Sequence, residues 1–515
     1  MHILFLGVAS LGLVLLVQSI FRLCFHPLSK YPGPRLAAFT NWYATYFVGR
    51  GVFHIKTREW HRQYGPIVRY APNALSFDSP TAQADIYGTR ANTKKSEQYA
   101  VFSASRHAPN TITATEKDVY TFKRRTHTQF YLESSLKDVE DRILDKIDTF
   151  VNTLGSDSGR GNQEDGNSKV WSQSRNMADV CAWLTADVIT DLAYGQSSQM
   201  LTSSEMRWIL SVMTLMSWRG MLCVIQPKIY RWKLDRVFLA PAYKRILSAG
   251  TWAYKCTKNR VVAEKQVHQK DFFGAMINVK GSKDGQIFTT KDMWVETLLL
   301  MAAGSDTTST AMAATFFYLA HCPDALVAAT SEVRGSFAQK DDIRLGSTLN
   351  DCVFLQACIN EAMRLTPSTP NILPRDVLAG GSVIDGEHIP AGMTVGSSLY
   401  ANHRHESFEH PDEFWPERWI VSPERGVTDD DVKRTQRAFH PFSTGPRSCV
   451  GWKLAWSELN IAIARTLYSY DIKMADRSCC GLTQPRSCAY PMKGYAVAAA
   501  QGPALQFIRA PHGGV

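Results

Sequence analysis

The chain has 515 residues, 45% of them hydrophobic and 20% charged, a balance that suits a globular protein with a sizeable core. Its formal net charge of +10 is spread without any concentrated Lys/Arg run. That excludes a nucleic-acid binder and leaves a solvated surface, an anionic membrane face or an acidic electron-donor protein as readings. Eleven cysteines show no paired CxxC spacing, which argues against zinc, and their odd number and scatter predict free thiols in a reducing compartment.

Residues Ile3 to Phe21 carry no charge and match the length of a helix that spans a hydrocarbon core; Arg22, Lys30 and Arg35 follow. This predicts a membrane anchor over 1–24 with the rest of the chain on the cytosolic side. A cleavable signal peptide is the alternative, but there is no basic n-region and no clean cleavage site. Pro27, Pro32 and Pro34 make 25–36 a stiff connector. Ile67 to Tyr70 and Ala74 to Phe77 read as short strands joined through Pro72-Asn73. Asp118 to Phe130 reads as a helix with Tyr120 and Arg124 one turn apart. Gly155 to Ser168 is a polar surface loop, and Met177 to Tyr194 a helix capped by Gly195. Residues 203 to 248 read as further helices crowded with Met and Trp.

Asp292 to Ala320 is a long, nearly uncharged helix whose all-round apolarity implies burial. Its centre, Ala303-Gly304-Ser305-Asp306-Thr307-Thr308, is poor in helix propensity and buries a carboxylate. A rule broken in a core helix points to function: a groove widened at Gly304 beside an acid and an alcohol. The alternative is a kink with threonines bonded back to carbonyls. Glu361 and Arg364 share a helix face that ends before Pro367, and glycine-punctuated runs beyond residue 375 read as hairpins. The stretch Phe442-Ser443-Thr444-Gly445-Pro446-Arg447-Ser448-Cys449-Val450-Gly451 then leads into a helix from Trp452 to Leu467. Arg447 and the helix N-terminus would favour a thiolate at Cys449. A small buried thiol is the bland alternative.

That stretch, reading FxxGxRxCxG, resembles the haem-binding loop of the cytochrome P450 superfamily at every fixed position. Ala303 to Thr308 matches the AGx(D/E)T(T/S) motif of the same family, Glu361-Ala362-Met363-Arg364 its ExxR, and Pro416-Glu417-Arg418-Trp419 its PERW segment. The resemblance implies a mainly α fold with a small β portion, as one large domain over 37–515 behind the anchor and hinge. It implies haem b ligated by Cys449. Phe442, Gly445, Arg447 and Gly451 would shape the haem loop, and Tyr120, Arg124, Arg375 and Arg447 would reach the propionates. It makes Thr307 and Asp306 the proton-managing pair, Glu361, Arg364 and Arg418 a structural triad, and Ala303, Ile372 and Leu373 pocket lining.

The implied activity is insertion of one oxygen atom from O₂ into a lipophilic small molecule. Electrons would come from NADPH through a membrane-bound reductase, with cytochrome b5 as a possible second partner. The implied location is the endoplasmic reticulum membrane, catalytic domain toward the cytosol. Tyr31-Pro32-Gly33-Pro34 and the texture of the Cys449 loop look like fungal members that tailor secondary metabolites. Alternatives are a reductase-independent isomerase or peroxygenase, or a fatty-acid or xenobiotic hydroxylase; the intact Asp306-Thr307 pair counts against the first two.

Overall fold

The structure, a computed structural model, describes residues 10–511 apart from 11–12, 15, 106, 157–169, 265–269, 278, 280–286 and 476–484. Most of the expected polar loop Gly155 to Ser168, the adjacent Cys479 and Cys480, and the first part of the expected anchor lie outside the described residues. From Leu16 to Phe25 the chain forms a short apolar helix with Leu16, Val17, Ile20 and Phe25 exposed. Among the described residues one helix, Trp208–Ile225, is long and apolar enough to cross a membrane, but 61% of it is buried in protein, as befits a core helix.

The body is helical, and six helices position the site. They are α1 (Lys117–Phe130), α2 (Met177–Tyr194), α3 (Trp208–Ile225), α4 (Thr290–His321), α5 (Val353–Leu365) and α6 (Trp452–Ser469). The 32-residue α4 starts at a capping box, in which the Thr289 hydroxyl accepts from the Asp292 N–H and the Asp292 carboxylate accepts from the Thr289 N–H. From Ala311 to Leu319 every side chain of α4 is buried, so this end is the spine of the main core, which α2 and α6 share. Chain reversal after α2 uses Gly195 at φ +73°, a left-handed cap that glycine adopts without a Cβ clash.

Strands β1 (Ile67–Ala71), β2 (Ala74–Phe77), β3 (Thr93–Lys95), β4 (Arg375–Val377) and β5 (Thr394–Gly396) make one sheet in the order β1-β2-β5-β4-β3. The β2–β5 pairing is parallel and the others antiparallel. Register sets Lys95 directly opposite Arg375, two cations from segments 280 residues apart. The hairpin expected beyond residue 380 is Ser382–Ile384 against Glu387–Ile389. Cys488 is disulfide-bonded, which corrects the expectation of free thiols throughout; the other eight described cysteines are free.

Candidate active site

The loop that carries Cys449 is folded back on itself by the Cys449 N–H, which donates to the Phe442 carbonyl at 2.8 Å. Gly445 makes the loop possible. It sits at φ +72°, and a Cβ there would lie 2.0 Å from the Tyr87 carbonyl oxygen. Gly451, by contrast, has an ordinary φ of −88° and only a tight approach of 3.3 Å to the Tyr131 ring. Phe442 packs beside Trp452, ring centroids 6.4 Å apart. Cys181, Cys223, Cys256, Cys322, Cys352 and Cys358 are buried, whereas Cys449 is exposed, so the small-buried-thiol reading does not hold for it.

The electrostatics at the sulfur differ from expectation. Although the side chain is open to the surface, the protein packed around the loop desolvates the sulfur and raises the Cys449 thiol, and a Gly451 backbone hydrogen bond and the Arg124 guanidinium offset that only in part. Arg124, not Arg447, is the cation that acts on the thiol. Arg447 instead stacks 3.4 Å over the Tyr120 ring, and its Nη1 is buried without a hydrogen-bond partner. The Tyr120 hydroxyl is committed to the Pro446 carbonyl at 2.5 Å, so Tyr120 carries Arg447 and offers no free donor of its own. Arg124 donates to the Ser448 carbonyl at 2.5 Å, tying α1 to the same loop.

Arg375 lies 4.9 Å over the Tyr87 ring, and Lys95 lies 4.2 Å over Tyr99. Burial, then Arg375 and Arg447, hold the Lys95 amine well below its usual range. Burial also lowers Arg447, to about 10; Tyr120 opposes this, and Arg375 and then Arg124 add smaller lowering effects. Among the described residues no carboxylate forms an ion pair with Lys95, Arg124, Arg375 or Arg447. A cluster of like charge with an orphaned buried donor costs free energy until an anion enters it. One thiol beside this excess of cations fits haem b: Cys449 would ligate the iron, and the cations would neutralise the two propionates. Lys95 was missed from sequence because only β-pairing brings it to Arg375.

Behind the loop stands the triad. Arg364 donates to both Glu361 oxygens at 2.9 Å, and Arg418 Nε to Oε1 at 3.0 Å. The Trp415 N–H and the Trp419 indole N–H complete the carboxylate's shell, each at 3.0 Å; Trp419 is a partner that reading the charges alone had overlooked. Glu361 and Arg364 are fully buried. Burial alone would raise the Glu361 carboxyl, but Arg364 and Arg418 hold it below its usual value. The triad reaches the loop through backbone: Arg364 donates to the His403 carbonyl at 2.8 Å, the His440 N–H donates to His403 Nε2 at 3.2 Å, and the Ser443 N–H donates to the His440 carbonyl at 2.9 Å.

On α4, Ala303 and Thr307 are one turn apart and half-buried. Thr307 Oγ donates to the Ala303 carbonyl at 2.6 Å, and Ser368 donates to the Thr307 carbonyl at 2.7 Å. The back-bonded threonine of the alternative reading is therefore present, and it leaves the Thr307 oxygen free to accept. Asp306 points from the neighbouring face, and burial pushes its carboxyl up to about 7. Gly304 does not widen a groove for a ligand. A Cβ there would meet Ile189 of α2 at 2.8 Å, so the glycine serves close helix packing, reinforced by Thr185 Oγ donating to the Ser305 carbonyl at 3.0 Å. Ile372 is 1% exposed, in a core cluster with Val68 and Leu222, whereas the neighbouring Leu373 keeps a partly open side.

The comparisons agree with this geometry. The cytochrome P450 family model matches residues 32–497. The cytochrome P450 monooxygenase poxM of Penicillium oxalicum is 31% identical over 98% of this chain and 94% of its own. The cytochrome P450 monooxygenase atnE of Emericella nidulans is 32% identical, covering 96% of this chain and 95% of its own. Among solved structures, a cytochrome P450DA heme domain superposes with a TM-score of 0.72 at 18% identity over 94% of this chain and 98% of that one, a likeness of fold. The chain belongs to the cytochrome P450 family.

Proposed function

We propose that the protein is a haem-thiolate monooxygenase that inserts one oxygen atom from O₂ into a lipophilic small molecule, as a hydroxylation, epoxidation or related step. Membership of the family brings haem and electrons from a redox partner. The finer assignments are NADPH through its reductase, with cytochrome b5 as a second donor, and a tailoring role in fungal secondary metabolism. The fungal sources of the relatives support that role. The same reading makes 1–24 an anchor, 25–36 a hinge and 37–515 the catalytic domain on the cytosolic face of the endoplasmic reticulum. The exposed apolar side chains of Leu16 to Phe25 support it.

Bound against Cys449, haem would supply the iron chemistry that reduces O₂ and transfers one oxygen atom. The chain's own residues do the rest. Arg124, Arg375, Arg447 and Lys95 neutralise the propionates, Glu361, Arg364 and Arg418 hold the loop, and Leu373 and Ala303 line the substrate space. Thr307 accepts and Asp306 supplies the protons that oxygen reduction consumes. The observation that carries the oxygenase over an isomerase or peroxygenase is the Asp306–Thr307 pair on one turn of α4, the acid poised at about 7. The test is O₂-dependent product with NADPH and reductase; product formed without reductase would sink the reading.

Asp306→Asn should slow product formation by roughly a hundredfold, the scale of one positioned proton donor. Wild-type turnover should fall as pH rises through 7 and Asp306 ionises. Because the folded carboxyl titrates above its unfolded value, the folded state binds the extra proton. Stability contributed by that proton is lost as pH rises toward 7, and Asp306→Asn should flatten the loss in thermal unfolding curves. Separately, Lys95→Met should raise the rate of haem transfer to an acceptor apoprotein by roughly tenfold, the equivalent of one weakened charge contact. An unchanged rate would remove Lys95 from the anion site.

A further inference from the structure

Asp306 lines a cavity of about 440 Å³, a size typical of small-molecule sites, enclosed by α2, α3, α4 and residues 497–500; Thr307 is not among its walls. Small side chains make the room: Ala178 and Ala182 on α2, Ala313 on α4, and Ala498 to Ala500. Four hydroxyls face the space, and each has given its proton to a main-chain carbonyl. Ser211 donates to Trp208 at 2.7 Å, Thr214 to Leu210 at 3.3 Å, and Ser309 and Thr310 to Asp306 at 3.2 and 2.8 Å. Their oxygens are left to accept, so an occupant must bring donors. The charged groups in the walls are Asp306, Asp179 on α2 and Arg207 just before α3; residues 497–500 bring none. Arg207 is already balanced. It lies 3.4 Å over the Trp183 ring, donates to the Met200 carbonyl at 2.8 Å, and feels the charges of both Asp179 and Asp187. Asp306 is not balanced. Among the described residues no Lys, Arg or His forms an ion pair with it, and only the Ser305 side chain works against the effect of burial.

We propose that this cavity binds an organic cation rich in N–H donors, an amidinium, guanidinium or ammonium, with Asp306 as its counter-ion and the Ser309 and Thr310 oxygens as acceptors. Ser309 and Thr310 are 6% and 5% exposed and stand one turn beyond Asp306, so the three groups converge at the inner end of the cavity. Asp179 and Ser211 are exposed and mark its mouth. Charge selects the class of ligand. An anion would meet a carboxylate and accepting oxygens, and an apolar molecule would leave both without partners. A cation with several N–H groups satisfies carboxylate and hydroxyls together. Bound there, it would hold Asp306 ionised and withdraw it from proton supply; that consequence rests on the monooxygenase reading, whereas the site itself does not. The same chemistry suits the basic end of a substrate and a separate effector.

Benzamidine, benzamide and benzoate carry a cation, a neutral amide and an anion on one shape, and calorimetric titration of the holoenzyme with each at pH 7 tests the site. Benzamidine should bind, benzamide roughly tenfold more weakly, the equivalent of one charge-assisted contact, and benzoate not at all. Asp306→Asn should bring benzamidine down to the level of benzamide. Ser211→Phe, at an exposed lining position, should weaken both. Because the cation displaces the Asp306 proton, binding should expel roughly half a proton in the wild type and none in Asp306→Asn. Equal binding of all three probes, no binding of benzamidine, or a preference for the cation that survives Asp306→Asn would overturn the site. A Soret band of nitrogen-ligated iron would also overturn it, by placing the probe on the haem. In turnover, benzamidine that raises KM marks the cavity as the seat of the substrate's own basic group, and benzamidine that lowers product per NADPH at unchanged KM marks an effector site; both uphold the cation site. Charge-selective binding in an enzyme that makes no O₂-dependent product would leave the site standing and the monooxygenase reading fallen.

Discussion

Replacing Cys449 with serine is expected to abolish product formation and the thiolate signature of the reduced, CO-bound enzyme while leaving the fold close to its wild-type stability. The separation of effects follows from where the sulfur stands. Cys449 is exposed and absent from the core, so its removal opens no cavity. The loop around it is held by backbone, through the Cys449 N–H to the Phe442 carbonyl, which serine keeps. What serine cannot supply is a soft, polarisable anion for iron. Cys358 is the control. It is fully buried in the main core, and burial drives its thiol well above the usual range, so it is inert. Cys358→Ala should lower the melting temperature through a cavity and leave the spectrum intact. A thiolate spectrum that survives in Cys449→Ser but vanishes in Cys358→Ala would reverse the assignment.

What could be read from sequence was whatever is encoded locally. The period and charge pattern placed a helix over Asp292 to Ala320, and α4 runs Thr290–His321. Met177 to Tyr194 with its Gly195 cap came out as expected, because a left-handed terminus has a residue-type signature. The triad was legible since Glu361 and Arg364 share a helix face and Arg418 sits in a distinct segment. Three features depended on tertiary placement and were not legible. Gly304 was read as making room for a ligand, yet only the neighbouring helix reveals that the room is taken by Ile189. Lys95 has no motif, and its meaning arises from pairing with Arg375. Arg447 and Arg124 could not be told apart by spacing, since which guanidinium acts on the thiol depends on whether Tyr120 captures the other.

The second large effect belongs to Arg364. Arg364→Ala should prevent accumulation of folded, haem-loaded protein, with a cost of about 3–5 kcal/mol for breaking a buried ion pair from one side. The magnitude follows from what is stranded. Glu361 is fully buried and would keep only one guanidinium, from Arg418. The carbonyls of His403, Pro411 and Glu413 would each lose the donor that Arg364 supplies, at 2.8, 2.8 and 3.0 Å. A loss of this size is a large share of the stability of an ordinary domain. Arg364→Lys separates charge from geometry. It keeps the cation but replaces a planar fork of five donors with a point charge, so it should fold with a lower melting temperature and retain haem poorly. Because the His403 carbonyl, the His403 ring and the His440 backbone link Arg364 to the residues before Cys449, haem loss and unfolding should share one transition. Melting followed by circular dichroism and by haem absorbance on the same sample checks this. Haem release well below the unfolding midpoint in Arg364→Lys would mean that the triad stabilises the domain without holding the loop. A wild-type melting curve in Arg364→Ala would mean that it does neither.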